Sequence, residues 1–430
     1  MLIKGPLVFL LFFFCSFLNA ELKIQHWATE NGARVYFVEN HDLPMLDIEV
    51  SFQAGSSRDS VDKNGLASLT NHLMISGSGG INERDLSNRF TDIGAQLNSL
   101  FDRDKSSFSL RTLSEKSKQA IELFKLVLQK PDFKEDILER EKKRYIANIS
   151  QAQTMPESIA YKAFMYALYG DHPYGLPESG KIETLIKIKS GDLIKFYKQH
   201  YLANQVTIVI VGDLTRTEAE KVSKELIEEL PVDFGVNKIP LVEDSKKSET
   251  KISHPAKQAH LYFGYPVMKR GDADFFPLYV GNHILGGSGF GSRLTNEIRE
   301  GKGLVYSVYS YFVPLAQAGP FQIGLQTKKE QIDEALKLVK SIIVKFIQEG
   351  PNRKELQAAK DNIIGGFPLR LDSNKKILSY ISMMAFYNYP LDYLKTFSEK
   401  VNAVTIEEIK SAFQRRVDMN KFSIVIVGVD

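Results

Sequence analysis

Apolar and polar positions along this chain alternate with two periods. Leu46, Ile48, Val50 and Phe52 occupy every second position, the spacing of a half-buried strand. Ala259, Leu261 and Phe263 repeat that spacing in the second half. Ile121, Phe124 and Leu128 keep helical spacing until Pro131, and a charged helix is predicted over 135–150. Ile332 to Ile347, a break at Gly350-Pro351 and a second charged helix from about Arg353 give the same arrangement again. The β-branched runs Val206–Val211 and Phe422–Val427 predict a closing strand for each half. Mixed strands and helices of this kind predict an α+β protein whose antiparallel-rich, mixed sheets carry helices packed on one face.

The halves also match in sequence. NHLMISGSGG from Asn71 matches NHILGG-SGF from Asn282, an offset of 211. NQVTIVIVGDL from Asn204 matches NKFSIVIVGVD from Asn420, an offset of 216, and Asn148-Ile149 matches Asn362-Ile363, an offset of 214. Three matches in one order at nearly constant offset predict an internal repeat of two homologous lobes. The polar, lysine-rich segment 235–257 is the predicted linker. The expected organisation is a leader over 1–20, a first lobe over 21–234, the linker over 235–257 and a second lobe over 258–430. Two such lobes are expected to face each other and enclose a chamber.

In the leader, Lys4 is the only charge, Leu7 to Leu18 is an apolar run, and Asn19-Ala20 offers a small residue for cleavage. That is the layout of a secretory signal peptide. The run is shorter than the about 20 apolar residues that cross a bilayer, so no stable membrane span is expected. Bulky Phe12, Phe13 and Phe14 disfavour lipid attachment at Cys15. The expected product is exported, and periplasmic if the source is bacterial. Cys15 is the only cysteine, so the mature chain has no disulfide, thiolate chemistry or cysteine–zinc site.

Composition narrows the classes further. With 43% apolar and 25% charged residues, 430 residues form ordinary globular material rather than a disordered chain. The balance of 55 basic against 52 acidic residues contains no basic block suited to nucleic acid.

Two stretches bear chemistry. In GLASLTNHLMISGSGG, from Gly65, Leu66, Leu69 and Leu73 share one helical face, and Ser68, Asn71 and His72 cluster on the other. Two histidines four apart on a helix chelate zinc, and an adjacent carboxylate activates water. Here the set is Ser, Asn and one His. Asn71 cannot take a proton, one histidine does not hold zinc, and His72 is expected to make hydrogen bonds only. In the second stretch, residues 285–312, the glycine spacing fits no phosphate-binding loop. A helix through Asn296–Glu300 is expected to stop at Gly301 and Gly303, before a strand from Val305 to Phe312. Arg299 and Tyr306 flank that turn. They read either as a solvated charge and a sheet aromatic, or as two groups meeting at one point.

These segments resemble the pitrilysin/insulinase family of zinc metallopeptidases, which includes the mitochondrial processing peptidase. Its inverted motif, G-x-A-H-x-x-E-H, lies over Gly65 to His72. The resemblance puts Ser68 and His72 at the first and second ligand positions and Asn71 at the base position. The third ligand, a glutamate about 76 residues on in the family, falls on Asn148, and Glu141 matches a supporting glutamate. GAQLNS (Gly94–Ser99) resembles the edge strand beside substrate, which implies substrate contacts for Asn98 and Ser99. HPYG (His172–Gly175) and FYKQHYLANQVTIVIVGDL also match. REGKGLVYSVYS matches the family segment whose Arg and Tyr, here Arg299 and Tyr306, complete the active site from the opposite lobe. The tyrosine donates to the oxygen where charge develops, and the arginine grips substrate.

What the resemblance implies is a division of labour. This chain is expected to bind no metal and to be inactive alone, as the non-zinc subunit of an exported metallopeptidase. A homologous partner with His-x-x-Glu-His would carry the zinc, and peptides or unfolded segments would be the substrates. The alternatives are a non-catalytic scaffold or peptide-binding member of the family, or a self-sufficient peptidase using residues such as His200 and Glu141.

Overall fold

The computed structural model describes residues 22–232, 235, 238–244 and 247–429. The expected leader therefore lies outside the described residues. Among the described residues, no helix is long and apolar enough to cross a membrane.

Two sheets organise the chain. The first contains β1 (Gln25–Ala28), β2 (Arg34–Glu39), β3 (Met45–Phe52), β4 (Gln96–Phe101), β5 (Ser106–Leu113) and β6 (Thr207–Gly212), in the order β1-β2-β6-β3-β5-β4. The second contains β7 (Glu249–Ser253), β8 (Gln258–Met268), β9 (Val305–Phe312), β10 (Gly319–Lys328) and β11 (Ser423–Val429), in the order β9-β10-β8-β11-β7. Read from their free edges, β4-β5-β3-β6-β2 and β9-β10-β8-β11-β7 have the same connectivity. In each, only the last pair is parallel. β7 falls inside the segment read as linker. Its alternation of exposed and half-buried residues suits a polar edge strand, and composition alone made it look like loop.

The helices of the first half used below are α1 (Leu66–Met74), α2 (Glu83–Asp92), α3 (Ser117–Gln129), α4 (Glu135–Ala152) and α5 (Pro156–Tyr169). Those of the second half are α6 (Phe275–Asn282), α7 (Ile332–Glu349), α8 (Arg353–Gly366) and α9 (Asn374–Phe386). The pairs α3–α4 and α7–α8 are the two expected helix–turn–helix units. The α+β class with two lobes holds.

The lobes do more than face each other across a linker; they exchange helices. α5 packs on β8 and β11 of the second sheet, and α9 packs on β2, β3 and β6 of the first. The strand alternation records the exchange. Val35, Phe37, Ile208 and Ile210 enter the first lobe's own core. The intervening Tyr36, Val38, Val209 and Val211 join a second core with Leu378 and Ile381 of α9. β3 was expected to be half-buried. Instead Asp47, Glu49 and Ser51 are buried as well, because α9 covers their face. Their charges are matched: Arg111 Nε lies 2.8 Å from Asp47 Oδ1, and Lys105 Nζ lies 3.1 Å from Glu49 Oε1.

A buried carboxylate locks the lobes at the base of the β4–β5 turn. Asp104 is 1% exposed. It accepts hydrogen bonds from the Tyr174 hydroxyl (2.5 Å), the Tyr387 hydroxyl (2.8 Å) and the Ala316 amide (2.8 Å). Tyr174 belongs to the first half; Tyr387 and Ala316 belong to the second. Burial, and then the Asp104 charge, push both phenols well above the ordinary tyrosine range, so they stay protonated and donate.

Candidate functional site

Helix α1 starts from a sharp turn. Gly65 has φ +97°, and a Cβ there would lie 2.7 Å from Leu185 Cδ2 and 2.9 Å from the Gly180 Cα, so only glycine fits. Asp59 caps the helix, accepting from the Gly65 amide (2.7 Å) and the Ala67 amide (2.8 Å). Burial pushes the Asp59 carboxyl up to about 7, against the pull of the Ala67 and Gly65 amides.

Ser68, Asn71 and His72 do not converge on one point. Ser68 and His72 face α4, where the Ser68 hydroxyl pairs with the Tyr145 hydroxyl at 3.2 Å. His72 Nε2 lies 2.9 Å from Glu141 Oε2 and 2.9 Å from Arg144 Nη2. Asn71 turns to the sheet instead. Its amide donates to Ser106 Oγ (2.7 Å) and to the Leu100 carbonyl (3.4 Å). Asn282, its match in the second half, donates to the Ser310 carbonyl of β9 at 2.8 Å. Both asparagines thus pin a helix to the edge strand of its sheet. Asn148 is exposed on α4, one turn beyond Arg144 and Tyr145.

This donor set does not fit a zinc ion, which needs three converging protein donors. Ser68 and Asn71 are committed to other partners, and the Arg144 guanidinium stands against both His72 and Glu141. Among the described residues, no group of three or more His, Cys, Asp or Glu side chains is placed to hold a metal. His200 offers no substitute ligand. It packs against Phe196 with ring centroids 4.4 Å apart and planes tilted by 46°, and burial, then the Arg58 charge, push its imidazole down to about 4.

Asn98 and Ser99 lie on β4, whose outer edge has no strand partner among the described residues. Asn98 is exposed and Ser99 half-buried. Ala95 to Asn98 and α2 line a groove of about 630 Å3 along that edge.

In the second half, the glycine-rich stretch is a packing device. A Cβ on Gly286 would lie 2.3 Å from Ser310 Oγ, so the glycine lets this loop touch β9. α6 runs into a π-turn over His283–Gly287, and a second π-turn spans Thr295–Glu300. π-turns of this kind recur at functional sites. Arg299 is the last residue but one of the second. The Gly303 amide, at φ +64°, donates to the Arg299 carbonyl (3.0 Å), and the Leu304 amide donates to that of Ile298 (3.1 Å). The Arg299 side chain is 41% exposed, with its guanidinium 5.0 Å above the ring of Phe290, itself 71% exposed. Tyr306 is the extra residue of a β-bulge. Val305 pairs with Thr327 and Ser307 with Gln326, which leaves Tyr306 unpaired and 49% exposed. A bulge re-aims a side chain, which is why bulges gather beside active sites.

Comparison with known proteins gives the family. Residues 34–180 match the family model described as insulinase (peptidase family M16), and residues 187–363 match the peptidase M16 inactive domain. A solved structure described as a peptidase M16 inactive domain, from Pseudomonas fluorescens, superimposes with a TM-score of 0.92 at 36% identity, covering 95% of this chain and 99% of that one. The chain belongs to the peptidase M16 family. The non-peptidase homolog YmxG of Helicobacter pylori is 28% identical, over 92% of this chain and 91% of its own. The uncharacterized zinc protease YmxG of Bacillus subtilis is 25% identical, over 94% of this chain and 98% of its own.

In this M16 chain, the segment read as the inverted motif sits on α1, where His72 meets Glu141 and Arg144. Sequence reading missed Arg144, Tyr145 and the bulge. Arg144 had a usable signal: it lies three residues after Glu141, on the same helical face. A bulge leaves no periodic signature.

Proposed function

We infer that this chain is the non-zinc subunit of a heteromeric M16 peptidase and supplies Arg299 and Tyr306 in trans. The partner is a homologous subunit with an intact His-x-x-Glu-His motif, zinc and the attacking water. The chamber lies between the two chains. In it the Tyr306 phenol donates a hydrogen bond to the carbonyl oxygen as charge develops, and Arg299 holds the substrate backbone or carboxylate. An extended or unfolded peptide adds to the free edge of β4 near Asn98 and Ser99. The leader sequence supports export, to the periplasm in a bacterium. The common connectivity of the two sheets supports two copies of one ancestral unit.

The observation that carries this reading is the contrast between the two halves. On α1, Ser68 and Asn71 are engaged in hydrogen bonds within the chain, while Tyr306 is pushed out of its ladder and left exposed beside the capped turn bearing Arg299. Co-expression with an exported homologue that has the intact motif tests it. The pair should cleave peptides that neither chain cleaves alone, and Tyr306→Phe should lower kcat by about 10²–10³, as for loss of one oxyanion donor. An unchanged kcat removes Tyr306 from the mechanism.

The non-peptidase name of the Helicobacter pylori relative favours a second reading, a purely scaffolding or peptide-binding subunit. In that case, substituting both Arg299 and Tyr306 would leave the activity of the assembly intact.

A further inference from the structure

The two helices that would share a metal are joined by a side chain. His72 Nε2 on α1 and Glu141 Oε2 on α4 approach to 2.9 Å, and Glu141 is 2% exposed. Its other oxygen, Oε1, accepts from Arg140 Nε at 2.9 Å. One edge of the Arg144 guanidinium meets both partners. Its Nε lies 3.1 Å from Glu141 Oε2 and its Nη2 lies 2.9 Å from His72 Nε2. Nε and Nη2 carry near-parallel N–H bonds on one side of a rigid planar fork, an arrangement lysine lacks. Because a guanidinium only donates, its contact with Nε2 assigns His72 the Nδ1–H tautomer, so Nε2 and Glu141 Oε2 are two acceptors that share this fork, the pair a divalent cation would otherwise hold together.

We propose that Arg144 is a resident replacement for the metal ion: its guanidinium bridges His72 and Glu141, ties α1 to α4, and bars a divalent cation from the socket. The inference concerns the isolated chain and stands apart from any pairing with a second subunit. A fixed positive charge within about 4 Å of a bound dication lowers its affinity on the order of tenfold or more. Restoring ligands alone should therefore fail to restore a site.

The test uses zinc titration, followed by calorimetry, of the triple variant Ser68→His, Asn71→Glu, Asn148→Glu, with Arg144 kept or changed to Ala. The Arg144→Ala background should take up one zinc per chain, about tenfold or more tighter than the background with Arg144. Equal affinity in both backgrounds, or zinc uptake by neither, overturns the claim that Arg144 bars the metal. In the otherwise native chain, Arg144→Ala should lower Tm by about 1–3 °C. Arg144→Lys should not restore it, and Lys143→Ala, on the exposed side of the same helix, should leave it unchanged. An unaltered Tm for Arg144→Ala, or full rescue by lysine, overturns the bridging role.

Discussion

Asp104→Ala should uncouple the lobes. The substitution removes the shared acceptor of three buried donors, the hydroxyls of Tyr174 and Tyr387 and the amide of Ala316. Each stranded donor costs about 1–3 kcal/mol, less whatever relaxation recovers. Breaking a buried charged group's network by removing one member costs about 3–5 kcal/mol in total. Asp104→Asn keeps one acceptor oxygen and should lose about 1–2 kcal/mol, as with a typical charge-assisted hydrogen bond. The assay is urea unfolding, monitored by far-ultraviolet circular dichroism and by Tyr and Trp fluorescence. Asp104 and Tyr387 are 283 residues apart in sequence and belong to opposite halves, so their pairing is a direct probe of the lobe interface. A double-mutant cycle between Asp104→Asn and Tyr387→Phe should give a coupling of about 1–2 kcal/mol. A loss below about 1 kcal/mol for Asp104→Ala, or a cycle that closes at zero, would refute the locking role of this carboxylate.

Truncating the exchanged helix should be costly for the whole chain. Ile381→Ala, at a fully buried position of α9, should cost about 2–5 kcal/mol in the same unfolding assay. The purified chain alone should hold no stoichiometric zinc by elemental analysis, and chelator should leave its Tm unchanged. Stability should also depend on pH in two opposed ways. Asp59 is raised from 3.8 to about 7 in the fold, so its contribution is full below about pH 4 and is lost as pH rises through about 7. His200 is lowered from 6.5 to about 4, so its contribution is present above about pH 6.5 and is lost as pH falls through about 4. Tm measured against pH should lose its neutral-side slope in Asp59→Asn and its acid-side slope in His200→Gln.

Much of the fold was legible because local patterns carry it. Leu46 to Phe52, Ile121 to Leu128 and Ile332 to Ile347 sit in the elements their periods predict. What the periods could not convey is which surface an apolar face meets. α5 and α9 carry apolar residues round more than one face, and nothing local says that each covers the other half's sheet. That same long-range contact buries Asp47 and Glu49, which on pattern alone belong to a solvent face. The polar strand β7 was read as linker because an edge strand needs few apolar residues. At the site, the residue types at Ser68, Asn71 and Asn148 could be read from the sequence, but not where their side chains point. Asn71 was grouped with His72 on one face. It instead turns to Ser106, because the β4–β5 hairpin closes over that side of α1. Arg144 and the Tyr306 bulge depend on packing and register, which residue spacing does not encode.

The most direct test of the division of labour is a reconstituted pair assayed for peptide cleavage, with zinc counted on each separated chain. The account expects one zinc on the motif-bearing partner, none on this chain, and loss of turnover when Arg299→Ala and Tyr306→Phe are combined here. Zinc held by this chain alone, or full turnover in the doubly substituted pair, would contradict it.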